Sequence, residues 1–289
     1  LKTTVLQKNI INDIWKKDSM SLVNTKWLED NFDKVKIIDC SWHMPQTNRN
    51  GFEEYKKQHI QSSIFFDLDK NSKQNTDLPH MLTDINSWEN IVSNMGIKNE
   101  DRIVVYDNSD VISSCRCWYN FIYFGHNPKL IHVLDGGLKK WTRENKATSN
   151  DLTKIIKSNY KANEKKELVK NKIEIDKNIS KKEFNIIDAR SVERFEGKIA
   201  EPRKNLRSGA IQNSFCLPFL DLINVDGTFI SKDKILEKFK SIKCELNKNL
   251  VFSCGSGVTA SVLALAYSLI EHKYMPTIYD GSWSEYGKF

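Results

Sequence analysis

Cys254, Gly255, Ser256, Gly257, Val258 and Thr259 stand between an apolar stretch, residues 250–253, and a helix-forming run, residues 260–267. A cysteine at that junction faces the unpaired N–H groups of a helix start and the positive end of its dipole, which together stabilise a thiolate. Two glycines let the loop curl so that several N–H groups converge on one atom. The pattern predicts a nucleophilic cysteine, and the loop itself carries no basic side chain.

The elements that must position this loop occur twice. Residues 36–39 (Lys-Ile-Ile-Asp) match 185–188 (Asn-Ile-Ile-Asp), residues 103–106 match 250–253, and residues 133–137 match 278–282. The three offsets are 149, 147 and 145 residues, which indicates a duplicated domain. Within each copy, short apolar strands alternate with amphipathic segments. Trp88, Ile91, Val92 and Met95 fall at helical spacing before Gly96, a helix stop. Asp135-Gly136-Gly137 reads as a turn ahead of a helix starting near Leu138. Strand–helix alternation predicts an α/β fold in which each copy is a mainly parallel sheet covered by helices on both faces. Residues 1–144 form the first domain and 173–289 the second. Residues 145–172, rich in Lys, Asn and Ser, read as a linker, expected to lie along the surface with Tyr160 and the isoleucines as anchors.

The remaining composition narrows the class. The chain has 289 residues, 14 Phe and 7 Trp, which argues for folded cores. No stretch approaches the ~18 consecutive apolar residues of a membrane span. The start, residues 1–5, has no apolar core of signal-peptide length. A net charge of +7 could suit a nucleic-acid surface, but the lysines are scattered among asparagines with no long run. They read as solvated surface, and no nucleic-acid or membrane partner is expected. Six cysteines in so long a chain do not make a disulfide framework. Cys115-Arg116-Cys117 lacks the two-residue spacing of metal or redox pairs, and the following Trp118-Tyr119-Asn120-Phe121 reads as a buried helix. Small buried thiols in a reducing compartment, the cytoplasm or alternatively the mitochondrial matrix, are expected.

These motifs resemble the rhodanese superfamily, and within it the tandem-domain sulfurtransferases that use 3-mercaptopyruvate. The first half carries Asp39-Cys40-Ser41-Trp42, His59-Ile60, Phe65-Phe66-Asp67-Leu68-Asp69, His80-Met81-Leu82 and Leu134-Asp135-Gly136-Gly137. The second carries Asp188-Ala189-Arg190, Arg194-Phe195, Glu201-Pro202-Arg203, the cysteine loop and Tyr279-Asp280-Gly281-Ser282-Trp283. In that family only the second copy is catalytic, and Asp107 stands here where the first would need its cysteine. The family's Gly-His-Ile of the second domain is Gly209-Ala210-Ile211 in this chain, a change expected to touch packing rather than chemistry.

The resemblance implies that sulfur passes through a persulfide on Cys254, held by the ring of backbone N–H groups of Gly255, Gly257, Val258 and Thr259. It implies that Arg194 and Arg203 bind the donor's carboxylate, although Arg194 taken alone reads as a surface salt bridge. It also implies a relay of Asp69, His80 and Ser256 formed across the two domains, although His80 taken alone reads as structural. Thr259 either places a hydroxyl near the loop or caps the next helix. No metal or organic cofactor is needed. The expected acceptors are small thiols or a thioredoxin-like protein. Thiosulfate-preferring relatives have Arg and Lys where this chain has Gly255 and Ser256, which favours 3-mercaptopyruvate. A thiosulfate sulfurtransferase is the nearest alternative, and a non-catalytic sulfur carrier is a second. A cysteine phosphatase would need an arginine six positions after the nucleophile, and that position is Ala260.

Overall fold

The computed structural model describes residues 21–271 and 273–289. The N-terminal segment inspected above for a signal core lies outside the described residues. The first sheet contains β1 (Leu22–Val23), β2 (Lys36–Asp39), β3 (Ile64–Phe65), β4 (Ile103–Tyr106) and β5 (Ile131–Leu134), in the order β1-β5-β4-β2-β3. The second contains β6 (Val169–Lys170), β7 (Phe184–Asp188), β8 (Phe215–Cys216), β9 (Asn249–Ser253) and β10 (Ile278–Tyr279), in the order β6-β10-β9-β7-β8. The two orders are the same when each domain is counted from its own first strand. Every pairing within both sheets is parallel. The internal repeat in the sequence is therefore a repeat of topology.

Side-chain alternation explains how both faces of each sheet are covered. In the first sheet Ile38, Ile103, Val105, Ile131 and Val133 face one core, and Ile37, Val104, Tyr106 and Leu134 face another. In the second sheet Ile187, Leu250, Phe252 and Ile278 face the first of these cores, while Phe184, Ile186, Val251 and Tyr279 face a third. One apolar core thus runs continuously through both domains.

Helices supply the rest of that shared core. α1 (Ile85–Asn94) starts at Asp84, whose carboxylate accepts from the amides of Asn86 and Ser87. α2 (Ser114–Tyr123) is buried along its whole length, as the sequence led us to expect for the segment holding Cys115 and Cys117. α3 (Gly137–Arg143) follows the Asp-Gly-Gly turn, and α4 (Lys172–Lys181) opens with a capping box of Asn171 and Glu174. α5 (Val192–Phe195) and α6 (Lys232–Ser241) precede α7 (Val258–Ile270), and α8 (Ser282–Tyr286) closes the chain. α7 has no polar face because it packs between the second sheet and α2 of the first domain. Among the described residues no helix is long and apolar enough to cross a membrane.

The segment read as a linker behaves differently from expectation in two respects. Tyr160 is buried and its amide donates to Ser93 Oγ at 2.9 Å, but Ile156 is 81% exposed and anchors nothing. Thr148–Ser149 pairs antiparallel with His59–Ile60, and β6, within residues 145–172, is already an edge strand of the second sheet. Strand pairing and a buried phenol, not the isoleucines, tie this segment down.

Candidate active site

Parallel strands place their C-terminal ends on one side, and the loops that follow them form the functional crevice of open α/β sheets. Cys254 follows β9 directly and is buried, with its amide donating to Ser282 Oγ at 3.2 Å. The amides of Gly255, Ser256 and Gly257 have no acceptor among the described residues, and Val258 and Thr259 open α7 with unpaired amides. Gly257 is the N-cap of α7, with a φ of 79°. Thr259 is thus inside the helix and not its cap, because the loop's turn is completed by a glycine in the left-handed region. Gly255 does not take up such a φ. A Cβ there would lie tightly against Arg194 Nη2 at 3.2 Å and in ordinary contact with Arg203 Nη1 at 3.5 Å.

A cavity of about 310 Å³ lies above the loop, with Cys254, Gly255, Ser256, Val258 and Thr259 in its wall. Arg194 and Arg203 line it too. Gly257 does not; it acts on the loop's backbone. Both guanidiniums sit against the loop. They differ in state. Arg194 donates through Nε and Nη2 to the Glu201 carboxylate at 3.1 and 2.6 Å. Glu201 is shared with the fully buried Arg190, which also pairs with Asp188. Arg203 makes no ion pair among the described residues, and its Nη2 reaches Ser256 Oγ at 3.4 Å. Burial lowers the pKa of Arg203, and the charge that Cys254 can carry works against that lowering.

Behind Ser256 the first domain contributes a chain of polar contacts. His80 Nδ1 is 2.9 Å from Ser256 Oγ, and His80 Nε2 is 3.1 Å from Asp69 Oδ1. Trp42 Nε1 donates to Asp69 Oδ2 at 3.0 Å, and the Trp42 ring meets the imidazole edge-on at 4.6 Å between centroids. Burial holds the imidazole below its ordinary pKa, so near neutral pH it is uncharged. Nε2 then carries the proton donated to Asp69, and Nδ1 accepts from the serine hydroxyl. The imidazole's ring N–H in turn keeps the Asp69 carboxyl below its usual range. His80 and Asp69 do not line the cavity; they reach it through Ser256.

The sequence passed over Trp42, Arg116 and Asp280 as contributors to this site. Trp42 and, with it, Met44, Gln46 and Val111 form the first-domain wall of the cavity. Arg116 had a visible signal: a lone arginine inside an otherwise apolar helix with no acid at helical spacing. The first domain's counterpart of the cysteine loop is occupied differently. Asp107 follows β4, and its own carboxylate accepts from the amides of Ser109 at 2.8 Å and Ser114 at 2.9 Å. The loop that holds sulfur in one domain therefore holds a side-chain carboxylate in the other. His59 is held by the carbonyls of Tyr55 and Asp151, and Ile211 of the altered Gly-Ala-Ile sits in the outer core of the second domain.

Two all-parallel sheets of one topology, with a cysteine loop on the second and a carboxylate in its place on the first, define a tandem α/β protein with a cysteine at only one of two matched loops. The model of the rhodanese-like domain matches residues 24–144 and 171–288, and the chain belongs to the rhodanese family. It is 35% identical to thiosulfate/3-mercaptopyruvate sulfurtransferase 1, mitochondrial, of Arabidopsis thaliana, over 93% of this chain and 76% of that protein. It is 31% identical to human 3-mercaptopyruvate sulfurtransferase, over 92% of this chain and 91% of that one. The crystal structure of SseA from Escherichia coli superposes with a TM-score of 0.82 at 28% identity, covering 92% of this chain and all of SseA.

Proposed function

We propose that this sulfurtransferase takes sulfur from 3-mercaptopyruvate onto Cys254 and passes it to a thiol, releasing pyruvate. The observation that carries this reading is that the loop cysteine and the guanidiniums of Arg194 and Arg203 line one cavity. A planar guanidinium can hold a carboxylate through two parallel hydrogen bonds. Arg203, without an ion pair among the described residues, would take the donor carboxylate in the cavity that Cys254 also lines.

In the first step the Cys254 thiolate attacks the donor sulfur, and the carbon–sulfur bond breaks. The electron pair goes to carbon as the enolate of pyruvate, opposite the arginines. Ser256 Oγ takes the donor's thiol proton while its own proton passes to His80 Nδ1, and the imidazolium is stabilised by Asp69. The same proton returns to the enolate carbon, and pyruvate leaves. The persulfide sulfur on Cys254 lies among the open loop amides. In the second step an acceptor thiolate attacks that outer sulfur, and Cys254 leaves as thiolate. Small thiols or a thioredoxin-like protein fill the acceptor role. All six cysteines are unbridged, consistent with a reducing compartment, which we take to be the cytoplasm or, alternatively, the mitochondrial matrix.

Mass spectrometry after donor addition should show one extra sulfur on the peptide holding Cys254. Cys254→Ser should abolish turnover with the fold intact, and turnover retained in that variant would refute the assignment. Parallel kcat/KM measurements with 3-mercaptopyruvate and thiosulfate decide the donor; a clear preference for thiosulfate would replace the first step.

A further inference from the structure

One guanidinium crosses the domain boundary into the back of the site. Arg116 lies in α2 of the first domain, and its side chain is fully buried. Its Nη1 donates to the Gly257 carbonyl at 3.2 Å. Its Nη2 donates to the His80 carbonyl at 2.7 Å and to Asp280 Oδ1 at 2.7 Å. The other Asp280 oxygen accepts from the Leu82 amide at 2.8 Å. A single buried ion pair therefore joins the two domains and touches the backbone on both sides of the relay.

Two backbone conformations give these contacts their consequence. His80 has a φ of 61°, in the left-handed region that a residue with a side chain rarely holds unaided. The bond to its own carbonyl and the bond to the Leu82 amide hold the two peptide units that follow that residue. Gly257 has a φ of 79°, and a Cβ there would lie 2.3 Å from Arg116 Nη1. The glycine that completes the loop thus also makes room for the guanidinium. Packing alone does not account for the arrangement, since Arg116 Nε is buried with no hydrogen-bond partner among the described residues and an apolar side chain would fill the same space at no such cost.

We propose that Arg116 is a positioning residue for sulfur transfer. It fixes His80 against Ser256 and sets the curl of residues 254–259 once the two domains are seated together. This rests on reading Cys254, Ser256 and His80 as the reacting groups. Arg116 lines no part of the cavity, so its effect falls on turnover and not on donor binding.

Arg116→Lys tests this. Lysine keeps a positive charge facing Asp280 but lacks the planar fork whose two nitrogens separately reach the Gly257 and the His80 carbonyls. The expected result is a fall of about tenfold or more in the single-turnover rate of persulfide formation, with the donor KM within about threefold of the parent. Amide hydrogen exchange at Leu82, which donates to Asp280, and at Trp283 and Ser284, which donate to the Cys254 and Gly255 carbonyls, should quicken by about tenfold or more, with the strands of the first sheet exchanging as in the parent. A parental rate, or parental exchange at both segments, overturns the proposal. Should Arg116→Lys fail to fold, Asp280→Asn removes the charge partner and leaves an oxygen for the Leu82 amide. The same signature is expected there, and its absence is equally decisive. Exchange is measured without donor, so it reports on positioning even if Cys254 accepts no sulfur, a result that would sink the proposed activity on its own.

Discussion

His80 Nδ1 lies 2.9 Å from Ser256 Oγ, although the two residues are 176 positions apart in the chain. The histidine comes from the domain whose loop carries Asp107 and the serine from the domain whose loop carries Cys254. The relay therefore exists only when the two domains are packed, and the α2–α7 contact and the shared core are what pack them.

That relay predicts a pH dependence. Burial depresses the His80 pKa below 6.5, although Asp69 pulls it the other way. Stability from such a group is fully present above the unfolded value and is lost as pH falls through the window beneath it. Asp39 and Asp135, both pushed up to about 6 by burial, act in the opposite sense, so the informative quantity is parent minus variant. Thermal unfolding of the parent and His80→Asn should converge as pH drops below about 6.5, and kcat of the parent should fall over the same range while the variant's, about a hundredfold lower, stays flat. Identical kcat profiles would remove His80 from proton transfer.

The unequal states of the two arginines predict unequal losses. Arg203 is without an ion pair among the described residues, whereas Arg194 is already held by Glu201. Arg203→Ala should raise the KM for 3-mercaptopyruvate by about tenfold to a hundredfold, the range for losing a charge-assisted hydrogen bond. Arg194→Ala should cost less in binding but also leave one Glu201 oxygen without its partner, the other staying on Arg190. Glu201→Gln combined with Arg194→Ala should then recover part of the loss. Steady-state kinetics on the three variants checks the order.

Gly255 offers a narrower test. A methyl group there would stand 3.2 Å from Arg194 Nη2, the far end of a flexible side chain. Gly255→Ala should leave the melting temperature within about 2 °C of the parent while lowering kcat/KM for 3-mercaptopyruvate several-fold. Gly255→Arg should add a third cation and move the donor preference toward thiosulfate. An unchanged donor ratio in Gly255→Arg would show that charge at this position does not set specificity.

Asp107 is expected to matter for folding and not for chemistry. Its carboxylate satisfies two buried amides, so Asp107→Ala leaves both without an acceptor at a cost of about 1–3 kcal/mol each. Denaturant titration should show that loss. The single-turnover rate of persulfide formation should remain within a few-fold of the parent, since the loop touches the cavity only through Val111.

The sequence alone determined the repeat, the parallel α/β class and the identity of the reactive loop, because each is a local pattern: apolar strands at fixed spacing, and a cysteine between a strand and a helix. It also pointed to Asp69, His80, Arg194 and Arg203, through motifs that resemble a family. Which of these meet was decided by tertiary structure. Ser256 finds His80 only across the domain boundary, Gly255 lies closely under the Arg194 guanidinium, and Thr259 is displaced from the cap by the turn at Gly257. Arg116 was hidden for the same reason. Its partners, Gly257, His80 and Asp280, are up to 164 residues away, and no local pattern reports which carbonyls a buried arginine will reach.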